Sequence, residues 1–167
     1  PFRGKGIALM PSLQEVLLRF PGRKFYIHMK SNDPKDGIHL ARFLNSLPQQ
    51  QQQLLTVYGG DKPVTALKEQ MPAIRVTSKE RIKKCLLQYA AIGWTGYVPH
   101  AMRNTELLLP VNYVPYLWGW PHKFLKRMSE VNTMVVLMQG GEYSSGFDDV
   151  KDLHKLPANF CGGIWTN

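Results

Sequence analysis

His28 and Lys30 have the side-chain types and the spacing to do chemistry together. The apolar stretch at residues 25–29 is typical of a short strand, in which residues two apart point to the same side. An imidazole and an ammonium group would therefore project into one mouth, where the lysine charge suits a phosphate. Simpler interpretations stay open, since Lys30 equally fits a lysine that leaves the sheet for solvent, and a lone histidine is more often packed than a ligand.

Other residues are candidates for contacts with a substrate. Trp165 ends the predicted last strand and would form an apolar wall, although a tryptophan that fills a core is the more common case. Arg103 and Asn104 lie in the loop after the fourth predicted strand, where they would donate hydrogen bonds to a substrate oxygen. A solvated loop is the more common role of such residues. The candidate substrate-binding residues are therefore Lys30, Trp165 and Arg103.

The elements that must position these residues follow one another in a regular order. The first helix is predicted to begin at Ser12, which forms a capping box with Glu15. Six strands, separated by helices or long connections, are predicted at residues 25–29, 54–58, 73–76, 96–98, 134–138 and 163–166. The fifth of these stretches is apolar at every position, which is typical of a parallel strand covered by helices.

This alternation predicts parallel strands joined by right-handed crossovers. Both a doubly wound open sheet and a (β/α)8 barrel satisfy it. A complete barrel commonly takes roughly 250 residues and eight units, whereas this sequence has 167 residues and begins at Pro1 rather than at a methionine. We therefore expect residues 1–167 to form a single α/β domain, an incomplete TIM (β/α)8 barrel of about six parallel strands that lacks the first two.

The composition is that of a globular domain, with 44% hydrophobic and 20% charged residues. A disulfide-rich miniprotein is excluded at this length, and the distant Cys85 and Cys161 form no zinc or redox motif. These cysteines favour a reducing compartment. Since no apolar run approaches the ~20 residues of a membrane span, we expect no transmembrane segment and a cytoplasmic protein.

The net charge of +9 raises the possibility of a polyanionic partner such as nucleic acid. However, the basic residues between positions 79 and 84 alternate with apolar residues at helical spacing, namely Ile82, Cys85, Leu86 and Tyr89. This pattern is typical of the solvated face of one helix. Because no RNA- or DNA-binding motif accompanies it, we expect no nucleic-acid partner.

A run of five glutamines, residues 49–53, follows Pro48. Such a polar run is typical of a loosely constrained, solvated connection between a helix and the next strand. No function is assigned to it.

Three segments together resemble the glycerophosphodiester phosphodiesterase family. They are residues 11–17 (PSLQEVL), residues 25–30 (FYIHMK) and residues 162–167 (GGIWTN). In that family a PSLxEVL-like helix start precedes a strand that ends in Glu-x-Lys, and the last barrel strand ends in a Thr-Asn or Thr-Asp pair. The resemblance covers essentially the whole chain, and these motifs are strong in this order.

The resemblance implies hydrolysis of a glycerophosphodiester to glycerol 3-phosphate and an alcohol on a TIM barrel, assisted by a divalent metal ion. Lys30 matches the lysine of Glu-x-Lys and would hold the phosphate. His28 stands at the glutamate position, which is a departure from the family. An imidazole suits Zn²⁺ or Mn²⁺, whereas Mg²⁺ and Ca²⁺ prefer oxygen ligands. His28 is thus the candidate metal ligand, and Mg²⁺, Ca²⁺ and Mn²⁺ stay open as the metal.

The family's two catalytic histidines lie on the first two barrel strands, which the resemblance places before Pro1. The remaining histidines of this sequence match no motif of the family: His39, His100, His122 and His154. No residue is therefore assigned as the catalytic acid or base, and we expect this portion by itself to be inactive. In the complete enzyme one histidine would activate the attacking oxygen, and the other would protonate the leaving alcohol.

The departure at His28 motivates an alternative function. A catalytically silent barrel would bind a phosphorylated or lipid-derived ligand without cleaving it. Nucleic-acid binding through the +9 surface ranks last among the functions considered.

Overall fold

The computed structural model describes residues 10–140 and 146–166, which form an α/β protein. The helices are α1 (Leu13–Arg19), α2 (Pro34–Asn45), α3 (Gln49–Gln52), α4 (Asp61–Gln70), α5 (Lys79–Ile92) and α6 (His122–Glu130). The strands are β1 (Phe25–Met29), β2 (Leu55–Gly59), β3 (Arg75–Ser78), β4 (Glu106–Pro110), β5 (Met134–Met138) and β6 (Gly163–Ile164). Short 3-10 helices occupy Gly93–Thr95, His100–Met102, Val111–Tyr116 and Val150–Lys155. No helix in the described ranges is long and apolar enough to cross a membrane.

The six strands pair in parallel and form two sheets of three, in the orders β1-β2-β3 and β4-β5-β6. The predicted alternation with six parallel strands is thereby confirmed. The predicted incomplete barrel is not confirmed. In the described part of the chain no backbone pairing joins β3 to β4, and the two sheets do not close into a barrel. Between these strands the Thr105 hydroxyl donates a hydrogen bond to the Val76 carbonyl oxygen at 2.8 Å. A side chain, rather than a backbone amide, therefore links the edges of the two sheets here.

Each sheet has its own apolar core. The first core includes Ile27 and Met29 of β1 together with buried residues of α2 and α4. These helices pack closely at Gly37, where a Cβ would overlap the Pro63 carbonyl oxygen. The second core lies between α5, α6 and the second sheet, with Tyr89 and Phe124 among its fully buried residues.

Two local predictions are confirmed. Ser12 and Glu15 form the capping box at the start of α1, with Ser12 N donating to Glu15 Oε2 at 2.7 Å and Glu15 N donating to Ser12 Oγ at 3.2 Å. The buried face of α5 consists of the predicted residues Ile82, Cys85, Leu86 and Tyr89. Burial raises the pKa of the Cys85 thiol to about 11, so this cysteine is an unreactive part of the core.

The predicted strand at residues 96–98 is wrong, and the fourth strand is Glu106–Pro110. Gly96 has a φ of 91°, a left-handed conformation that ends the preceding 3-10 turn. β4 is instead defined by its partner, since Leu107 lies opposite Val135 and Leu109 opposite Leu137. Pairing and burial against β5, rather than a local pattern, make this segment a strand.

The glutamine run is not a solvated connection throughout. Residues Gln49–Gln52 form α3, and Gln51 is buried. Its Nε2 donates to the carbonyl oxygen of Leu17 at 2.8 Å. Leu17 lies in the last turn of α1, where carbonyls lack partners within the helix. Gln51 therefore fastens α3 to the end of α1.

A carboxyl group is buried at the start of β4. Glu106 is 3% exposed, and its Oε2 has no hydrogen-bond partner in the described part of the chain. Burial raises the pKa of Glu106 to about 7, and the charge of Lys24 opposes this rise. The carboxyl is therefore protonated in mildly acidic solution and loses its proton near neutral pH.

Replacing Gln51 with alanine should destabilise the protein, because the Leu17 carbonyl then stays buried without its donor. We expect Gln51→Ala to lower the free energy of unfolding by about 1–3 kcal/mol in urea denaturation. Gln50→Ala is the matched control, since Gln50 is exposed in the same helix. Equal losses in the two variants would contradict the role of Gln51.

Glu106 predicts a pH dependence of stability. The pKa of Glu106 in the folded chain, about 7, lies above its ordinary value of 4.5. The contribution of this carboxyl group to the free energy of unfolding is therefore fully present below that ordinary value, and it is lost as the pH rises through about 7. We expect Tm to fall between about pH 5 and about pH 8, and Glu106→Gln to reduce this fall because an amide does not ionise. Scanning calorimetry at both pH values measures Tm. An equal fall of Tm in Glu106→Gln and in the unaltered protein would contradict the role of Glu106.

Candidate functional site

The carboxyl-terminal parts of strands from both sheets surround one cavity, of about 450 Å³, which we call the mouth cavity. The first sheet and the residues that follow its strands contribute His28, Lys30, Tyr58, Gly59, Gly60, Thr77 and Ser78. The second sheet contributes Leu108 and Met138, with Trp165 directly after β6, and the first turn of α5 contributes Lys79, Glu80 and Ile82. Parallel strands bring their carboxyl ends to a common edge, so residues far apart in sequence meet there.

Strand β1 directs His28 and Lys30 into the mouth cavity. Ile27 and Met29 pack into the core beside α2 and α4, so the alternate residues face the opposite side. Both His28 and Lys30 line the mouth cavity, as their spacing predicts.

The imidazole of His28 lies flat against the ring of Tyr58. The ring centroids are 4.2 Å apart and the planes differ by 11°. This contact follows from the register, which places the two residues opposite each other in β1 and β2. Desolvation and, to a smaller extent, the Lys30 charge lower the pKa of His28. The imidazole is therefore predominantly neutral at neutral pH.

Tyr58 also connects the two sheets. Its ring meets that of Trp165 edge-on, with centroids 6.1 Å apart and an interplanar angle of 84°. Sequence analysis missed Tyr58, although the period of β2 could have found it, because Val57 belongs to the core and the next residue must face the other side. His28, Tyr58 and Trp165 together form an aromatic wall of the mouth cavity.

Trp165 both lines the mouth cavity and is half-buried. Its indole Nε1 is buried and has no hydrogen-bond partner within the described ranges. The side chain thus offers apolar surface to the mouth cavity, whereas its one donor is enclosed. The predicted Thr-Asn pair follows it, but Asn167 lies outside the described residues.

The chain packs closely where β2 ends, and the backbone contact there requires glycine at Gly59. A Cβ at Gly60 would overlap the side-chain oxygen of Asn32 in the loop after β1. A Cβ at Gly59 would lie 2.6 Å from the Met29 carbonyl oxygen. Because neither glycine carries a side chain, the loop that begins at Lys30 lies directly against the end of β2.

A polar network joins α4 to the end of β3 and the first turn of α5. The Ser78 hydroxyl donates to Asp61 Oδ1 at 2.7 Å and accepts the Arg81 N–H at 3.2 Å. Arg81 Nε lies 3.6 Å from the same carboxylate oxygen, and Arg81 Nη2 donates to Thr65 Oγ1 at 3.1 Å. Ser78 ends β3, caps α5 and lines the mouth cavity, so this network positions the first turn of α5 at the mouth.

Arg103 and Asn104 are not brought to the mouth cavity. They precede β4, the fourth strand of the structure, and therefore lie at its amino-terminal end. The Arg103 guanidinium donates to the Val98 carbonyl oxygen from Nε at 3.3 Å and from Nη2 at 3.2 Å. Asn104 accepts a hydrogen bond from Asn132 Nδ2 at 2.8 Å. Their predicted place in the loop after the fourth strand depended on the incorrect strand at residues 96–98.

The residues around His28 do not fit a divalent metal ion. In the described part of the chain no three or more His, Cys, Asp or Glu side chains are grouped to hold one. The imidazole packs on Tyr58, and the nearby charge of Lys30 would repel a cation. The arrangement instead favours an anion, which an ammonium group and a neutral ring can contact.

No family model, curated protein or solved structure matches this chain. The family resemblance therefore stays a hypothesis that depends on the sequence motifs. The geometry of the mouth cavity is independent of it.

The proximity of Lys30 to His28 can be measured by NMR titration of the imidazole. We expect a His28 pKa below the ordinary value, and Lys30→Met should raise it because the repelling charge is removed. Lys84→Met removes a charge from an exposed position of α5 that does not line the mouth cavity, and it should leave the His28 pKa unchanged. Identical effects of the two variants would contradict the arrangement.

Proposed function

We propose that the mouth cavity binds the phosphate group of a phosphodiester, with Lys30 as its cationic contact. The observation that carries this proposal is the position of Lys30 beside a neutral imidazole and an aromatic wall, at the carboxyl ends of parallel strands. This edge is where parallel α/β proteins commonly bind ligands. Lys30 is exposed at this edge, so its ammonium group is accessible to an anion from solution.

We further propose that the chain belongs to a phosphodiester hydrolase like the glycerophosphodiester phosphodiesterases, built on an incomplete TIM (β/α)8 barrel. The motifs behind the resemblance support this, because they lie at the start of α1, at the end of β1 and around β6. Two contacts between the sheets also support it. Thr105 bonds Val76 between β4 and β3, and Trp165 meets Tyr58 across the mouth cavity.

In this function the residues of the mouth cavity bind and orient the substrate. Lys30 would contact a non-bridging phosphate oxygen, and Trp165 would pack against the glycerol or the alcohol group. His28 is the one histidine in the described lining. Hydrolysis by the scheme that the resemblance implies needs two histidines, one as the base and one as the acid. The described lining of the mouth cavity does not supply both. The products would be glycerol 3-phosphate and an alcohol.

A second candidate function is a catalytically silent barrel that binds a phosphorylated or lipid-derived ligand. The stacking of His28 on Tyr58 favours it. An imidazole held by an aromatic ring stands where the resemblance places a glutamate that binds metal. Such a site keeps the cationic contact and lacks the carboxylate.

Binding of glycerophosphoglycerol, a diester that carries one negative charge, tests the phosphate site by isothermal titration calorimetry. We expect Lys30→Ala to weaken binding roughly 10- to 100-fold, as loss of a charged hydrogen bond does. Lys84→Ala should leave the affinity unchanged, because Lys84 lies outside the mouth cavity. Equal affinities of Lys30→Ala and the unaltered protein would overturn the proposal.

In a protein that also carries the two histidines required by the resemblance, the same mixtures separate the two functions, whereas the chain by itself is expected to be inactive. Release of glycerol 3-phosphate that Lys30→Ala abolishes supports the hydrolase. Binding that depends on Lys30, without release in Mg²⁺, Ca²⁺ or Mn²⁺, supports the silent barrel.

A further inference from the structure

A separate cavity lies at the amino-terminal edge of the strands, opposite the mouth cavity. It has a volume of about 540 Å³, and we call it the basal cavity. Lys24 precedes β1, Arg75 begins β3 and Met134 begins β5, and all three line it. The rest of the lining comes from one face of α6, the turn after it and the segment before β6, and its polar members include His122, Ser129, Asn159 and Cys161. The two cavities share no described lining residue.

The basal cavity is lined by two cations and, in its described lining, by no carboxylate. The cations are Lys24 and Arg75. Neither forms a salt bridge with a described residue. The mouth cavity differs, because Glu80 lies there beside its lysines. The charge of the basal cavity is therefore accessible to an external anion.

The buried carboxyl group of Glu106 does not cancel this charge. The charge of Lys24 acts on Glu106, but Glu106 is 3% exposed and does not line the basal cavity. When it is ionised, Glu106 balances at most one of the two cations. The basal cavity therefore keeps a net positive charge whether or not Glu106 carries a proton.

The two cations approach the basal cavity from different strands. Arg75 lies opposite Thr56 of β2, which lies opposite Tyr26 of β1, two residues after Lys24. Since β2 separates β1 from β3, the two cations start roughly 10 Å apart, the width of two strand spacings. Arg75 Nη2 donates a long hydrogen bond to Asn132 Oδ1 at 3.5 Å, and its other N–H groups have no partner among the described residues. An oxyanion between the two side chains can thus contact both.

We propose that the basal cavity binds a phosphate monoester, with the phosphate group between Lys24 and Arg75. A monoester carries close to two negative charges at neutral pH, which match the two cations, and a guanidinium binds phosphate oxygens through parallel N–H groups. Ser129 and Asn159 add a hydroxyl and an amide that suit a hydroxylated organic group. The volume lies within the range of roughly 300–1,000 Å³ that is typical of small-ligand sites. This site is independent of the proposed phosphodiester site at Lys30.

Calorimetric titration with glucose 6-phosphate tests the site, and the comparison ligands are glucose, inorganic phosphate and succinate. We expect glucose 6-phosphate to bind roughly tenfold more tightly than inorganic phosphate, because its organic group adds contacts within the cavity. Glucose should not bind measurably, since it lacks the charge. An equal affinity of glucose or inorganic phosphate would overturn the assignment to a monoester. An equal affinity of succinate, a dicarboxylate, would overturn the assignment to a phosphate.

Variants of the two cations locate the phosphate group. Arg75→Met and Lys24→Met should each weaken binding of glucose 6-phosphate roughly 10- to 100-fold, as loss of a charged hydrogen bond does. Arg42→Met and Lys84→Met are the matched controls, since they remove the same charges from exposed positions outside the described lining, and they should leave the affinity unchanged. Equal losses in all four variants would show attraction by net charge alone and would overturn the inference.

A second pair of variants applies if circular dichroism shows that Arg75→Met does not fold. Ser129→Glu places a carboxylate at an exposed position of α6 that lines the basal cavity, and it should weaken binding because it repels the phosphate. Gln88→Glu introduces the same charge at an exposed position of α5 outside the described lining. Equal effects of these two variants would overturn the inference.

Lys30→Ala separates this inference from the proposed function. We expect this variant to bind glucose 6-phosphate as the unaltered protein does, because Lys30 does not line the basal cavity. Binding that depends on Lys30 and not on Arg75 would place the phosphate in the mouth cavity and overturn the inference.

Cys161 provides a second measurement at the basal cavity. Its thiol is exposed and lines the cavity, whereas Cys85 is buried. We expect saturating glucose 6-phosphate, but not glucose, to suppress alkylation of Cys161 by iodoacetamide, because the bound ligand covers the thiol. Glucose 6-phosphate that binds without slowing this alkylation would overturn the inference.

Discussion

Successive residues of a strand point to opposite sides, and this constraint determines both the cores and the mouth cavity. In β1 the odd-numbered residues Ile27 and Met29 join the core beneath the helices, which leaves His28 and Lys30 on the other side. In β2 the same rule places Val57 in the core and Tyr58 at the mouth cavity. A shift of one residue in either register would exchange the two sets and remove the site.

The side of the strands that faces away from the helices is chemically mixed. Tyr26 alternates with core residues of β1, and its hydroxyl is buried without a partner, as is the Oε2 atom of Glu106. Trp165 adds an indole N–H in the same state. Buried polar groups without partners cost free energy. The helix-covered side therefore supplies apolar packing, whereas the opposite side carries these enclosed polar atoms together with His28 and Lys30 at the mouth cavity.

A second, larger cavity lies beside the mouth cavity along α5. Lys30 extends from the polar side of the first sheet, whereas Leu87 and Tyr116 are apolar residues left open beside the second core. The boundary between them is the first turn of α5, which the Ser78, Asp61 and Arg81 network holds in place.

The sequence by itself determined the features that depend on neighbours along the chain. These are strands β1 and β5, the Ser12 capping box, the buried face of α5 and the shared direction of His28 and Lys30. Only the tertiary structure decided where β4 runs, which glutamine is buried, which ring stacks on His28, and that Arg103 does not line the mouth cavity. The reason is physical. A helical or strand period is set by the backbone dihedral angles of residues that are close in sequence. Strand partners, buried donors and ring contacts instead join residues that are distant in sequence and approach each other only when the sheets have formed.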